Sequence, residues 1–288
     1  MKILAVGEII FDVFNGEAEI GGAPLNFCAH YAARGAESAI VSGIGSDEFG
    51  ETAIKYLENF EVKTDFVFKN EFQTGRCLVT VENGSPSYNV LCPSAYDKIS
   101  LTDSDVDNIK KFGADVFAFG TLIQRDAVSR KAVSDILSAC RFTEIFCDVN
   151  LRRDCYDRES CLKCLENATI LKISAGEEPL LSEFGLYVSS ADEKEICQNI
   201  CRKFENIRLV LFTKGENGSL VYDKSKNEFH EISAVKAEVV STVGAGDSYS
   251  AAFLCEYLKS GNIAKAAEAG ARLSAFVVSH REAVPKIN

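Results

Sequence analysis

The clearest chemical signal in the chain is a glycine-rich turn at residues 244–247, which read Gly-Ala-Gly-Asp. An apolar stripe at helical spacing follows the turn, formed by Ala251, Leu254, Cys255 and Leu258. The turn is therefore predicted to lie at a helix N-terminus. Small residues there let a phosphate approach the backbone N–H groups, and the helix dipole favours its negative charge. We expect the backbone amides of Gly244, Ala245 and Gly246 to bind phosphate.

The carboxylate of Asp247 lies in the first turn of this predicted helix. It could cap the helix N-terminus, which would be a purely structural role. It could instead accept a proton from a hydroxyl group that attacks a phosphate bound at the glycines. The residues alone leave both interpretations open.

A second pair of glycines, Gly21 and Gly22, opens another predicted helix and is followed by Asn26. The side chains of Asn26 and of the earlier Asp12 could bind hydroxyl groups, since each offers more than one hydrogen-bonding position. A sharp strand-to-helix turn would explain the two glycines equally well. On these residues alone, the turn is the simpler interpretation.

Three further polar segments come directly after predicted strands, at residues 148–152, 172–177 and 213–218. In open α/β sheets, ligands bind beyond the carboxyl ends of the strands. The first segment offers a carboxylate, an amide and a guanidinium in Asp148, Asn150 and Arg152. Such groups suit magnesium, water and phosphate.

The elements that position these segments alternate between short apolar strands and amphipathic helices. The predicted strands are residues 3–6, 38–42, 116–119, 145–149, 170–173, 209–212 and 220–222, with a further strand-like stretch at 237–240. The predicted helices begin near Gly22, Asp47, Asp126, Arg158, Gly176, Ala191, Gly246 and Asn262. This alternation predicts an α/β fold with a mainly parallel sheet covered on both faces.

Residues 11–20 and 64–96 interrupt this rhythm. Within the second stretch, residues 77–81 and 87–91 predict a β-hairpin around a turn at 82–85. We interpret the two stretches as a small sheet inserted into the α/β domain, which could serve as a lid. A surface hairpin without a function is the alternative.

The formal net charge of −11 over 288 residues disfavours nucleic acid and anionic membranes as partners. Residues 3–6 are interpreted as a buried strand rather than part of a signal peptide, and the apolar runs are too short to span a bilayer. The odd number of cysteines, 11, favours free thiols in a reducing compartment. We therefore expect a soluble cytoplasmic protein.

Two cysteine spacings raise the question of a zinc site. Cys161 and Cys164 form a C-x-x-C, and Cys197 and Cys201 lie four residues apart. Both pairs fall within apolar stripes at helical spacing, and free cysteine commonly packs as a small hydrophobic side chain. We expect these thiols to lie in the core and no zinc to bind.

Taken in order, these segments resemble the ribokinase-like, or PfkB, carbohydrate kinases over essentially the whole chain. Residues 244–247 match the C-terminal signature of that family, and residues 21–26 with 43–50 match its N-terminal signature. Residues 119–125 and 148–152 look most like the fructokinase branch. The resemblance implies a three-layer α/β/α sandwich with a mainly parallel central sheet. It also implies one kinase domain over residues 1–288, with a β lid from about 11–20 and 64–96.

The same resemblance implies a role for each matching position. Asp247 would be the base that deprotonates a sugar hydroxyl, and residues 244–246 would form an anion hole for the transferred phosphoryl group. The sugar would be held by Asp12, Gly21, Gly22 and Asn26. The nucleotide would lie against Ser174, Thr213, Gly215, Gly218 and Gly246. Hydrated Mg²⁺ would be placed by Asn150 and Glu177, and phosphate or substrate would meet Arg152 or Arg125 unless these form surface ion pairs.

Three departures from the family pattern qualify these roles. Ser241 stands where the family usually has an aspartate, and Glu282 stands where it has a glycine, so activation by a monovalent cation is in doubt. Ser174 replaces the asparagine of the family's Asn-x-x-Glu motif, although Glu177 is kept.

We expect ATP-dependent phosphorylation of a sugar, with fructose as the first choice. Ribose, 2-keto-3-deoxygluconate or a nucleoside stays open, and so does a catalytically silent relative that only senses a sugar. The glycine spacing at residues 43–50 does not fit a Rossmann dinucleotide site, and no glycine-lysine pair supports a P-loop. The edges of a small sheet need covering, and the resemblance implies that lids often pair across a dimer, so we further expect a homodimer.

Overall fold

The computed structural model of the chain describes residues 1–82 and 85–286. The strands within them, β1 to β13, are Lys2–Val6, Ile10–Phe14, Glu17–Gly21, Glu37–Gly45, Val67–Asn70, Gly75–Glu82, Ser85–Val90, Val116–Phe119, Glu144–Asp148, Ile170–Ser174, Leu209–Thr213, Ser219–Asp223 and Glu228–Ile232. The helices, α1 to α9, are Ala23–Ala32, Glu48–Asn59, Asp103–Phe112, Ala127–Ala139, Arg158–Asn167, Glu178–Ser182, Glu193–Lys203, Ala245–Ser260 and Ile263–Val278.

Nine of the strands form one sheet in the order β13-β12-β11-β10-β9-β8-β1-β4-β5. The pairs β9–β10, β10–β11, β1–β4 and β4–β5 are parallel, whereas β12 pairs antiparallel with both β11 and β13. The strands β1, β8, β10 and β11 are apolar almost throughout and buried along most of their length. Such strands need cover on both faces. The predicted mainly parallel sheet is confirmed.

The chain divides into two compact units. The first comprises Met1–Phe117 and Leu122–Phe142, and the second comprises Ala118–Thr121 and Thr143–Asn288. In the first unit α1 packs on β1 and β4. In the second unit α7 packs on β11 and β12, while α8 packs along α9.

In the first unit, a side-chain clamp fixes the turn between β4 and α2. Asp47 Oδ1 accepts hydrogen bonds from the Gly50 amide at 2.8 Å and from the Thr74 hydroxyl at 2.6 Å, and its Oδ2 accepts from the Thr74 amide at 2.8 Å. Burial raises the pKa of Asp47, but these bonds outweigh burial and lower the pKa overall. The clamp joins the start of α2 to the residue that precedes β6.

The small sheet of the first unit has the strand order β3-β2-β6-β7. β6 and β7 pair antiparallel, which confirms the predicted hairpin, and the turn residues 83–84 lie outside the described residues. The predicted extent of this sheet needs a correction at residues 64–74. β5 lies there and pairs parallel with β4, from Ser42 opposite Val67 to Gly45 opposite Asn70, so it belongs to the large sheet.

In the second unit, the strand-like stretch at residues 237–240 is not a strand. Val239 and Val240 are 64% and 61% exposed, and the Val240 amide donates to the carbonyl of Val278 at the end of α9. This amide therefore bonds to a helix terminus rather than to a neighbouring strand. Apolar β-branched residues predicted a strand there, but residues 237–240 pair with no strand of the described chain.

All 11 cysteines are free thiols, and ten of them are buried. Cys197 and Cys201 lie on the buried face of α7 with Ile196 and Ile200, and Cys161 and Cys164 are buried in α5. Burial raises the pKa of Cys161 and Cys201 to about 12, which makes them poor nucleophiles at neutral pH. The cysteine stripes are core, as their helical spacing indicated. Among the helices that the structure describes, none is long and apolar enough to cross a membrane.

Candidate functional site

The N-terminus of α8 is shaped by Gly244, which occupies the cap position with φ +78° and ψ −3°. A side chain is disfavoured in this left-handed conformation. A Cβ on Gly244 would also lie 2.6 Å from the carbonyl oxygen of Ala283 and 2.9 Å from its Cβ. Glycine is therefore required both by the backbone angle and by the close approach of the segment after α9.

The first turn of α8 leaves a backbone donor available. The Ala245 amide makes a long 3.3 Å bond to the Thr242 carbonyl, whereas the Gly246 amide has no acceptor within residues 1–82 and 85–286. Residues 244–247 are half-buried, so the turn is open to a ligand. A donor of this kind at a helix N-terminus is the usual setting for anion binding.

The carboxylate of Asp247 lies in this first turn, three residues after the cap position. Gly244, not Asp247, holds the cap position, and no side chain bonds to the helix from there. Asp247 follows Gly246 directly, and both lie in the first turn of α8, as the sequence predicted.

A buried lysine lies against the same turn and was given no role in the sequence-based expectation. Lys172 Nζ donates to both oxygens of Asp148, at 2.8 Å and 2.7 Å, and the two side chains are 8% and 15% exposed. Lys172 is in β10 and Asp148 ends the parallel neighbour β9, so adjacent strands hold the pair. A single charged residue within the apolar run 170–173 was the available signal.

Other acidic groups near this pair also shift the pKa values of Lys172 and Asp148. Burial alone would lower the pKa of Lys172, but Asp148, Glu177 and Asp247 outweigh it and raise that pKa. Burial raises the pKa of Asp148 to about 6, with Lys172 opposing the rise and the nearby acids adding to it. One ammonium group thus lies within the field of three carboxylates that come from three different elements.

The turns after β9 and β10 are tied together by Glu177. Its Oε2 accepts hydrogen bonds from the amide and the hydroxyl of Ser174, at 2.8 Å and 2.7 Å, and its Oε1 accepts from the Leu151 amide at 2.8 Å. Ser174 therefore still contacts Glu177 although it replaces an asparagine. Beside Leu151, Asn150 is half-buried with φ +40°, and Arg152 is exposed.

The donors that Asn150 and Glu177 offer fit a hydrated magnesium ion. Both supply oxygen atoms, which Mg²⁺ prefers, and Mg²⁺ keeps several of its waters, so few protein ligands suffice. Oε1 of Glu177 accepts one hydrogen bond and has a further lone pair. These residues could hold the ion through its water shell.

The predicted nucleotide segment forms a tight turn after β11, from Thr213 to the start of β12. The Thr213 carbonyl accepts from the Ala175 amide at 2.9 Å, which joins this turn to the one after β10. Gly215 and Gly218 have φ of +57° and +86°. A Cβ on Gly218 would overlap the carbonyl oxygen of Ile232, whereas one on Gly215 would meet no atom within 4 Å.

The residues predicted to hold a sugar lie in the first unit and are brought together there. Asp12 Oδ2 is 3.9 Å from the position of a Cβ on Gly21. Gly22 caps α1 with φ +116°. Asn26 is buried one turn into that helix, and its backbone N–H donates to the Gly22 carbonyl. Glu8, which the sequence reasoning did not single out, accepts the Ala23 amide at 3.2 Å and so caps α1.

Arg125, the other arginine considered for phosphate or substrate, forms a buried ion pair. Its Nε and a terminal nitrogen donate to the two oxygens of Asp97, both at 2.7 Å, and its side chain is 8% exposed. It also donates to the Leu91 carbonyl at 2.8 Å. Arg125 therefore forms the ion pair that the sequence left open, although the pair is buried and not on the surface, and its contact with phosphate or substrate stays a prediction.

Comparison with known proteins bears directly on this geometry. A sequence model of the pfkB family carbohydrate kinases matches residues 3–287. The chain belongs to this family. An uncharacterized sugar kinase of Pyrococcus horikoshii, PH1459, is 28% identical over 277 residues, which cover 89% of this chain and 83% of that protein. Fructokinase-2 of Zea mays is 25% identical over 251 residues, covering 84% of this chain and 72% of that protein.

Solved structures of a sugar kinase and a fructokinase share the fold. The structure of PH1459 in complex with ATP has a TM-score of 0.82 at 25% identity and covers 99% of this chain and 95% of that one. Fructokinase from Vibrio cholerae, with fructose, ADP and calcium bound, has a TM-score of 0.83 at 20% identity and covers 98% and 94%. The expected ribokinase-like α/β sandwich and the expected ATP-dependent carbohydrate kinase class are both confirmed.

Proposed function

We propose that this pfkB kinase transfers the γ-phosphoryl group of ATP to a hydroxyl of fructose, with Asp247 as the base. The observation that carries this proposal is the first turn of α8. There the Gly246 amide has no acceptor within the described chain, and Asp247 is the next residue of the same turn. An anion-binding donor next to a proton acceptor is what phosphoryl transfer to a hydroxyl requires.

In this mechanism Asp247 accepts the proton of the sugar hydroxyl as its oxygen bonds to the γ-phosphorus. The bond from that phosphorus to the oxygen of ADP breaks, and ADP carries away the bonding electron pair. The amides of residues 244–246 donate to the phosphoryl oxygens and stabilise their charge. Bound Mg²⁺, placed through water by Asn150 and Glu177, would neutralise further phosphate charge.

The other predicted contact residues fall into two groups, one in each compact unit. Within the first unit, the grouping of Asp12, Gly21, Gly22 and Asn26 supports their role in holding the sugar. Within the second unit, the turns that carry Ser174, Thr213, Gly215 and Gly218 support nucleotide binding, since the Ala175 amide links two of these turns. Arg152 is exposed and forms no ion pair within the described residues, so it is available to substrate phosphate.

Fructose is the first choice for two reasons. Fructokinase-2 of Zea mays is among the similar curated proteins, and residues 119–125 and 148–152 resemble the fructokinase branch. Ribose, 2-keto-3-deoxygluconate and a nucleoside are the competing acceptors.

A panel of acceptors, assayed by coupled ADP release at equal concentration, tests this choice. The proposal predicts the highest kcat/KM with fructose and ATP. It also predicts little change when potassium is omitted, because Ser241 carries no charge. A higher kcat/KM with another acceptor would overturn fructose while keeping the kinase. Binding without turnover on every acceptor would favour the silent sugar sensor instead.

The small sheet supports a further proposal about assembly and location. Phe14, Leu78 and Tyr88 on β2, β6 and β7 are 43%, 38% and 55% exposed. We propose that this sheet is the lid over the sugar and that two lids pair in a homodimer of a cytoplasmic enzyme. The mass in solution tests the dimer, and a monomer at micromolar concentration would contradict it.

A further inference from the structure

Lys172 is buried at the carboxyl end of a central parallel strand. The residue is 6% exposed, and it interrupts a run of apolar side chains in β10. Lysine is rarely buried, because desolvating an ammonium group costs free energy that a single ion pair seldom returns. Apolar residues of similar volume often replace a buried ion pair without loss of stability. Stability alone is therefore a weak reason for a lysine at this position.

The ammonium group is not fully engaged by its partner. Its hydrogen bonds within the described part of the chain both go to the carboxylate of Asp148, at 2.8 Å and 2.7 Å. Both bonds end on one planar carboxylate, so the ammonium is approached from one side, and its third N–H is left to point elsewhere.

The ammonium also lies close to the turn that carries the candidate base. A methyl group placed on Gly246 would lie 3.3 Å from Lys172 Nζ and 3.7 Å from its Cε. The lysine head group is therefore packed directly against the first turn of α8. A cation at a helix N-terminus is opposed by the helix dipole, so it is unfavourable there unless negative charge is also present.

From this geometry we propose that Lys172 is a positioning residue that fixes a positive charge beneath Gly246 and Asp247 for the phosphoryl group in transfer. Asp148 holds the ammonium in place by occupying two of its hydrogens. The charge acts through the α8 turn: it strengthens the anion-binding field of the Gly246 amide as negative charge builds up there. This inference rests on the proposed phosphoryl-transfer function and adds a residue to it.

The role predicts a specific kinetic pattern for Lys172→Met, which keeps the length of the side chain and removes its charge. We expect kcat to fall about 100-fold, as for loss of one preorganised electrostatic contact, with KM for sugar and ATP changed less than about threefold. A matched control is Lys265→Met, which removes a lysine paired with Glu256 near the other end of α8. That control should keep kcat within about twofold, because its charge is distant from the turn.

A second pair of variants separates this role from that of an ordinary ion pair. Lys172→Met combined with Asp148→Asn leaves no uncompensated charge, so it should fold even if Lys172→Met alone does not. We expect kcat of the double variant to stay as low as in Lys172→Met. Recovery toward the wild-type kcat would overturn it, because the lysine would then have served only to neutralise Asp148. A greater loss of kcat in Asp148→Asn than in Lys172→Met would also overturn it.

The test distinguishes failure of the inference from failure of the proposed function. If Asp247→Asn abolishes turnover while Lys172→Met keeps wild-type kcat, the lysine inference fails and the proposed base stands. If Asp247→Asn keeps wild-type turnover, the proposed base fails whatever Lys172→Met does. Loss of kcat in both single variants, without recovery in the double variant, supports both.

Discussion

Two glycines in the turn after β11 provide a matched pair of substitutions. Gly215 and Gly218 have positive φ angles of +57° and +86°, and ψ at Gly218 is −142°. They differ in the space around them. A Cβ on Gly215 would meet no atom within 4 Å, whereas one on Gly218 would overlap the backbone oxygen of Ile232 in β13. Replacing each with alanine therefore separates the backbone cost from the steric cost.

The structure gives a magnitude for each variant. Gly215→Ala places a Cβ in the left-handed region and should cost about 1–2 kcal/mol. In Gly218→Ala, the new alanine must adopt a backbone conformation that is almost exclusive to glycine, which costs about 1–3 kcal/mol. The overlap with Ile232 adds a further destabilisation of about 1–3 kcal/mol, because a backbone atom must move to remove it. At about 2–4 °C per kcal/mol, Tm should fall by about 5 °C for Gly215→Ala and about 12 °C for Gly218→Ala.

Thermal unfolding followed by circular dichroism measures these shifts, and steady-state kinetics below the unfolding range measures KM for ATP. Since the turn is proposed to bind nucleotide, Gly218→Ala should also raise KM for ATP more than Gly215→Ala does. Equal shifts in Tm for the two variants would refute the steric argument. A lowered Tm with unchanged KM for ATP would remove Gly218 from the nucleotide site.

Two further predictions concern side-chain clamps in the first unit. Asp47→Ala removes the helix cap and the bonds to Gly50 and Thr74, so the free energy of unfolding should fall by about 2–3 kcal/mol; an unchanged urea midpoint would contradict this. Arg125→Met leaves the fully buried carboxylate of Asp97 without its cation and should cost about 3–5 kcal/mol. Adding Asp97→Asn should restore part of that loss, and no restoration in the urea midpoint would argue against the ion pair.

Helix starts were predictable from the sequence where a polar cap precedes an apolar stripe. Asp47, Asp126 and Asn262 each accept a hydrogen bond from a backbone amide in the first turn of the helix that follows. A cap acts on its own local chain, so its signal does not depend on tertiary packing. The start of α8 has no side-chain cap, but it was also predictable, because small residues and the apolar stripe after them marked the boundary.

Among the elements missed from the sequence, α3 and β13 depend on their neighbours for burial. α3 buries only Ile109 and therefore has no apolar stripe, although the Thr102–Asp105 capping box and Gly113 at its end were readable. β13 has no fully buried residue, and it is held as a strand by pairing with β12. Pairing between strands depends on which edges the fold brings together, and the local sequence carries little of that information.

The candidate site was only partly predictable for the same reason. The glycine turn, Asp247 and the polar strand ends were visible as local patterns. The Lys172–Asp148 pair joins residues from two strands, so its geometry depends on strand order and register. The lone lysine in residues 170–173 was a readable anomaly, since a buried charge needs a partner. Its closeness to Gly246 could come only from the fold.

The central claim is that the carboxylate beside the Gly246 amide removes the proton from the sugar. Asp247→Asn keeps the size of the side chain and removes its basicity. The account predicts that kcat with fructose and ATP falls by at least about 100-fold, while the affinity for sugar measured by calorimetry stays within about threefold. Turnover at the wild-type rate in this variant would contradict the account.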